Sequence, residues 1–162
     1  MSAHSVGTRR INLAQWSFLQ WAVLVVGVVH IVWAVVGWTV NSSFGIGEHA
    51  HATPVAGMDY NGWHAVAGLA LFTPALLAAL RKSWSAWYCL AAGIGGGVVV
   101  GVWALFSDRV LIFTFPNHTT DAIMHLLTGA LLFALVAVQT ALDGDLRKTL
   151  GLTGSGRPAS IG

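Results

Sequence analysis

Histidine carries most of the chemistry on offer in this chain: seven histidines stand among only eight Lys and Arg and six Asp and Glu. Two of them sit in matching surroundings. "HAVAGLALF" (64–72) and "HLLTGALLF" (125–133) share His, Gly, Leu and Phe at four of nine positions. Imidazoles paired across two helices can ligate haem iron axially or take a transition metal with further ligands. The plainer role for His64 and His125 is to tie helix to helix, or helix to loop, by hydrogen bonds. A second constellation lies in "GIGEHAHATPVAGMDY" (45–60), where Glu48, His49 and His51 would neighbour His118 and Asp121 of another loop. Neutral imidazole with carboxylate suits zinc, copper or nickel, although loop histidines are common without metal. His30 lies deep in an apolar stretch, where an ionisable group is a functional suspect; a bond to a nearby carbonyl competes with proton relay or cofactor ligation.

Other chemistry lacks its residues. No nucleophile stands beside a base, no phosphate-binding glycine loop follows a strand, and a lone cysteine, Cys89, excludes an internal disulfide or a Cys-x-x-Cys site. No enzyme activity is expected, and no resident cofactor; haem or a transition metal is the alternative. Asp59, Asn61, Thr119, Thr120 and Asp121 precede or open apolar segments, where they read as helix caps that meet unpaired N–H groups.

The elements that position these residues follow from composition. Of the 162 residues 56% are hydrophobic and 9% charged, and the mean hydropathy is +0.71, so the solvent is lipid. About 20 apolar residues cross a bilayer. Four stretches qualify, at residues 16–40, 62–80, 84–106 and 120–142, and within them Asp121 is the one formally charged side chain. Backbone groups in hydrocarbon must bond within their own segment, which selects helices. The expectation is an all-α, integral membrane four-helix bundle, with residues 1–15 before it and a tail at 143–162 whose end is disordered.

Basic residues set the direction. Arg9, Arg10, Arg81, Lys82, Arg147, Lys148 and Arg157 fall on one side and Arg109 alone on the other, so both termini are expected in the cytoplasm. "TRRINL" (8–13) faintly resembles an export signal, but the apolar stretch behind it is too long for a signal core. Trp16, Trp21, Trp38, Trp63, Trp84 and Trp87 sit toward span ends as headgroup anchors.

The echo extends to the odd helices. "VVHIVWAV" (28–35) matches "VVVGVWAL" (98–105) at five of eight positions, including Trp33 with Trp103. The order is the same in both halves, which predicts two helical hairpins in a parallel repeat. His64, Gly68 and Phe72 then form one stripe and His125, Gly129 and Phe133 its partner, both facing the interior. Gly93, Gly97 and Gly101 make a small-residue ridge suited to close packing within the chain.

With "DYNGWHAVAG" and "NHTTDAIMHLLTG" on the page, the chain resembles domain of unknown function 4383, a family of small bacterial four-helix membrane proteins. The matching positions are His64, Gly68, Asp121, His125 and Gly129. The resemblance implies the fold and no biochemical role. The expected function is therefore a structural or accessory subunit in a bacterial plasma membrane, with lipid and other integral membrane proteins as partners and no nucleic acid. The rivals are a haem or metal protein built on His64 and His125, and a small proton-coupled transporter using His30.

Overall fold

The computed structural model describes residues 12–110, 113–115 and 119–153. It is mostly helical, and three helices are long and apolar enough to cross a membrane: Phe18–Val40, Lys82–Ala104 and Thr119–Asp143. A shorter apolar helix, Gly62–Ala78, stands between the first two.

Helix α1 (Phe18–Val40) opens two residues later than hydropathy places it, because Ser17 and Gln20 close a capping box. Ser17 Oγ accepts from the Gln20 N–H, and Gln20 Oε1 accepts from the Ser17 N–H. These two bonds satisfy donors that helix geometry leaves without partners. Helix α2 (Gly62–Ala78) carries Pro74 inside it. It stops short of residue 80 because Leu80 and Arg81 bond back to Leu77 and Ala78 in a tight turn. Seventeen residues span about 25 Å at 1.5 Å each, less than the ~30 Å of hydrocarbon.

The third span is composite. Helix α3 (Lys82–Ala92) runs through a π-helical segment (Gly93–Val99) into α4 (Val100–Ala104). The last long helix, α5 (Thr119–Asp143), ends where Gly144 takes φ +75, a left-handed stop that glycine adopts without steric cost. A short helix, α6 (Leu146–Thr149), follows, capped by Asp145. Two small antiparallel hairpins depart from an all-helical reading. Strand β1 (Thr53–Val55) pairs with β2 (Met58–Tyr60), and β3 (Arg109–Val110) pairs with β4 (Phe113–Thr114). Strands of two or three residues lie below the length at which alternation shows in a sequence.

The tightest core lies toward the end that bears Lys82. Leu19, Val23, Ala75, Ala79, Ala86, Cys89 and Leu132 pack together there, all at or below 1% exposure. A polar clasp closes the same end. Asp143 takes Lys82 at 2.7 Å and Thr149 Oγ1 at 2.8 Å on one oxygen, and Gln139 Nε2 at 3.2 Å on the other. Gln139 Oε1 accepts from the Leu19 N–H at 3.1 Å, and Gln20 Nε2 donates to the Ala79 carbonyl at 2.9 Å. Buried amides are thereby paired across α1, α2 and α5, as low-dielectric burial requires.

The glycines of the third span pack on α5. A side chain at Gly97 would run into the Gly129 backbone, one at Gly93 would meet Phe133, and one at Gly101 would meet Leu126. On the other side of the molecule, Gly27 lies against Ala75 and Gly68 against Ala34. Backbones approach that closely only where both surfaces lack bulk.

Candidate functional site

Asn61 starts the site. Its side-chain oxygen caps α2 by accepting from the His64 N–H at 3.1 Å, and it lies 3.1 Å from His64 Nδ1 as well. The cap fixes that atom as the amide oxygen, which has no proton to give. Nδ1 is therefore the donor, and the neutral ring keeps its lone pair on Nε2.

The same logic applies twice more. His125 Nδ1 donates to the Gly96 carbonyl at 2.9 Å, and His30 Nδ1 to the Val26 carbonyl at 2.8 Å. All three imidazoles thus hold one tautomer, with Nε2 as the available base. All three are half-buried.

The Gly96 carbonyl that meets His125 lies in the π-helical segment. In a regular α-helix it would accept from Val100 N–H, but that donor turns to the Gly95 and Gly97 carbonyls instead. Segments of π-helical geometry inside α-helices are rare and are frequent at functional positions. "GIGGG" allows the local widening, and Leu71 of α2 covers Gly96 closely enough to contact any side chain placed there.

Aromatic rings pack against His30 and His64. His30 stacks on Phe72 with centroids 3.9 Å apart. His64 lies 5.7 Å from Tyr60 and 5.4 Å from Phe115. The tryptophans of the repeated motif border the same cluster, Trp33 at 6.4 Å from Tyr60 and Trp103 at 6.2 Å from Phe115. Asp121 is 6% exposed and stands one turn before His125 on α5. Tyr60 lies against Gly37, and its phenol is pushed up to about 12, first by burial and then by the Asp121 charge.

The loop histidines stand apart from this cluster. His49 ends a short 3-10 turn (Gly47–His49), and both His49 and His51 are exposed. Glu48 belongs to that turn by its backbone, and His118 lies outside the described residues. Among the described residues no three His, Cys, Asp or Glu side chains come together as a metal-ligating group.

The rest of the loop is pinned down. Asn41 Nδ2 lies 3.2 Å from the carbonyls of His51 and Tyr60 and from Thr53 Oγ1. Phe44 sits between Trp38 and Trp63 at 5.3 and 4.9 Å.

Tyr60, Phe115 and Gly96 complete the site and do not announce themselves in the sequence. Tyr60 had a signal, an aromatic residue next to a helix-capping Asn. Gly96 had none, since a glycine run inside an apolar span reads first as packing.

Three helices long and apolar enough to cross a bilayer mark a helical membrane protein. Within that class the chain belongs to the family described as Domain of unknown function (DUF4383), whose model matches residues 20–138. The match takes in His30, Asn61, His64, Gly96, Asp121 and His125. No curated protein and no solved structure matches the chain.

Proposed function

We propose that this is a structural or accessory subunit of a larger membrane assembly, without a catalytic centre of its own. In this reading the chain crosses a bacterial plasma membrane four times as a bundle of two parallel hairpin repeats, with both termini in the cytoplasm. Helix α2 makes the second crossing despite its length, since short spans are accommodated by local thinning at modest cost.

The observation that carries the reading is the uncovered face of α1. Only 22% of its apolar window is buried in protein, against 44% for the third span. Val25, Val28, Val29, Val32, Val35 and Val36 are all exposed along it. β-branched side chains are already restricted in a helix, so docking a partner helix against them orders little that was free. The compact inner core and clasp suit a small rigid block that offers such a face.

The test is isolation in mild detergent followed by mass spectrometry of what comes with it. Stoichiometric membrane partners that are lost when Val28 and Val32 are both replaced by Trp are the expected result. Recovery of the chain alone, from membranes where it is expressed at its natural level, overturns the accessory role.

A further inference from the structure

Going beyond the accessory role, and independent of it, we propose that the patch where the start of α3 meets α6 binds the headgroup of one net-anionic phospholipid. Printed contacts set the meeting of the two elements. Lys82 Nζ bonds Asp143 Oδ2 at 2.7 Å, and Lys148 Nζ reaches the Asp143 carbonyl at 3.4 Å, so one residue gathers a cation from each element. Behind them Gly151 lies so close to Ser83 that an added Cβ would stand 2.9 Å from the Ser83 Cβ. Two basic pairs distant in sequence, Arg81 with Lys82 and Arg147 with Lys148, thereby share one surface.

Charge at this patch is out of balance. The Asp143 carboxylate is already taken by Lys82, Thr149 and Gln139, and Asp145 uses a side-chain oxygen to accept from the Arg147 N–H. Among the described residues no carboxylate lies within ion-pair reach of Arg81, Arg147 or Lys148. All three are exposed. Helix α6 holds its pair outward, since Thr149 and Leu150 behind it are buried.

Depth comes from the indoles. The Arg81 guanidinium lies 4.6 Å over the Trp84 ring, and Trp84 and Trp87 are 46% and 50% exposed near the start of α3. Exposed indoles at a span end settle at the headgroup boundary, so the cation stacked on one is held at the level of lipid phosphates. Stacking leaves the guanidinium edge, with its fork of N–H donors, to face a phosphate. Arg81 also occupies the cap position of α3 without a side-chain bond to the first-turn N–H groups, and a helix start in that condition favours an anion.

The kind of lipid follows from the imbalance. A zwitterionic headgroup carries its own cation and compensates nothing, whereas a phosphatidylglycerol headgroup brings one net negative charge. Each Lys or Arg near an anionic surface strengthens the attraction about fivefold. Leu146 and Leu152 flank the α6 pair at 48% and 58% exposure. Acyl chains cover such side chains and a free phosphate does not, which makes the lipid the occupant.

The experiment is native mass spectrometry of the full chain in detergent, with dioleoyl phosphatidylglycerol and dioleoyl phosphatidylcholine added at equal concentration. One retained phosphatidylglycerol per chain is expected, favoured over phosphatidylcholine at least about tenfold. Arg81→Gln, Arg147→Gln and Lys148→Gln should each weaken retention about fivefold, and the triple variant should lose the preference. Arg109→Gln, at the other end of the spans, should keep it. Arg147→Lys retains the charge and should retain the lipid, which separates lost charge from lost fold. Equal retention of the two lipids by the wild type overturns the proposal. So does displacement of the lipid by millimolar inorganic phosphate, which would make free phosphate the ligand, or an undiminished preference in the triple variant with its helix content intact.

Discussion

One side-chain oxygen, Asn61 Oδ1, performs two tasks: it caps α2 and fixes the tautomer of His64. That economy explains why a polar residue at 1% exposure is tolerated beside an apolar helix. The histidines and the capping Asn were legible in the sequence because polar residues stand out in apolar surroundings. The tautomers were not, since they depend on which oxygen each Nδ1 meets, and for His125 that oxygen is 29 residues away on another helix.

Tyr60 gives this scale its measurable consequence. Its phenol is pushed up to about 12, mainly by burial, so the folded protein retains the proton where the unfolded chain has lost it. Stability from this group is complete below pH 10 and declines as pH rises from 10 through about 12. In a Tyr88→Phe background, tyrosinate absorbance should appear with a midpoint near 12 and coincide with loss of helical signal. Asp121→Asn removes the smaller cause and should move the midpoint modestly downward. A midpoint at the ordinary value of a solvated phenol, with the helices intact, would show that the ring is not enclosed.

At the scale of elements, the sequence located the long helices because length and hydropathy are summed over many residues. What it missed rests on few. The π-helical segment arises from a glycine run whose packing role and carbonyl role are indistinguishable by residue type. The clasp rests on Gln20, Gln139 and Asp143, which look like ordinary span-end polar residues until α1, α2 and α5 are brought together.

The glycine run makes a sharp prediction because its members face different surroundings. Gly97 meets the Gly129 backbone, which cannot rotate aside, whereas a side chain at Gly95 has nothing within 4 Å. Gly97→Val should therefore destabilise by about 1–3 kcal/mol through overpacking. Gly95→Ala should be neutral or stabilise by up to about 1 kcal/mol by restricting the unfolded chain. Thermal unfolding in detergent separates the two. Equal effects at both positions would mean that the third span does not present Gly97 to α5.

For the whole molecule, the division of labour runs along the spans. The end with Lys82 holds the small-residue core and the clasp, while the opposite end holds the histidines, the aromatic rings and the pinned loop. Basic residues gather at the first end: Arg81 sits over the Trp84 ring at 4.6 Å, Lys82 pairs with Asp143, and Arg147 and Lys148 lie on α6. An excess of Lys and Arg resists translocation, so this end should face the cytoplasm and the histidine end the outside.

Cys89 is fully buried, which makes the wild-type chain a silent background for thiol labelling. In intact cells a membrane-impermeant maleimide should modify Ser42→Cys, on the loop after α1, and leave Thr153→Cys, beyond α6, unmodified until the membrane is opened. Labelling of both from outside would place the two sites on one side and break the four-crossing arrangement. The reverse pattern would keep the crossings but turn the molecule over, with the basic residues on the outer face.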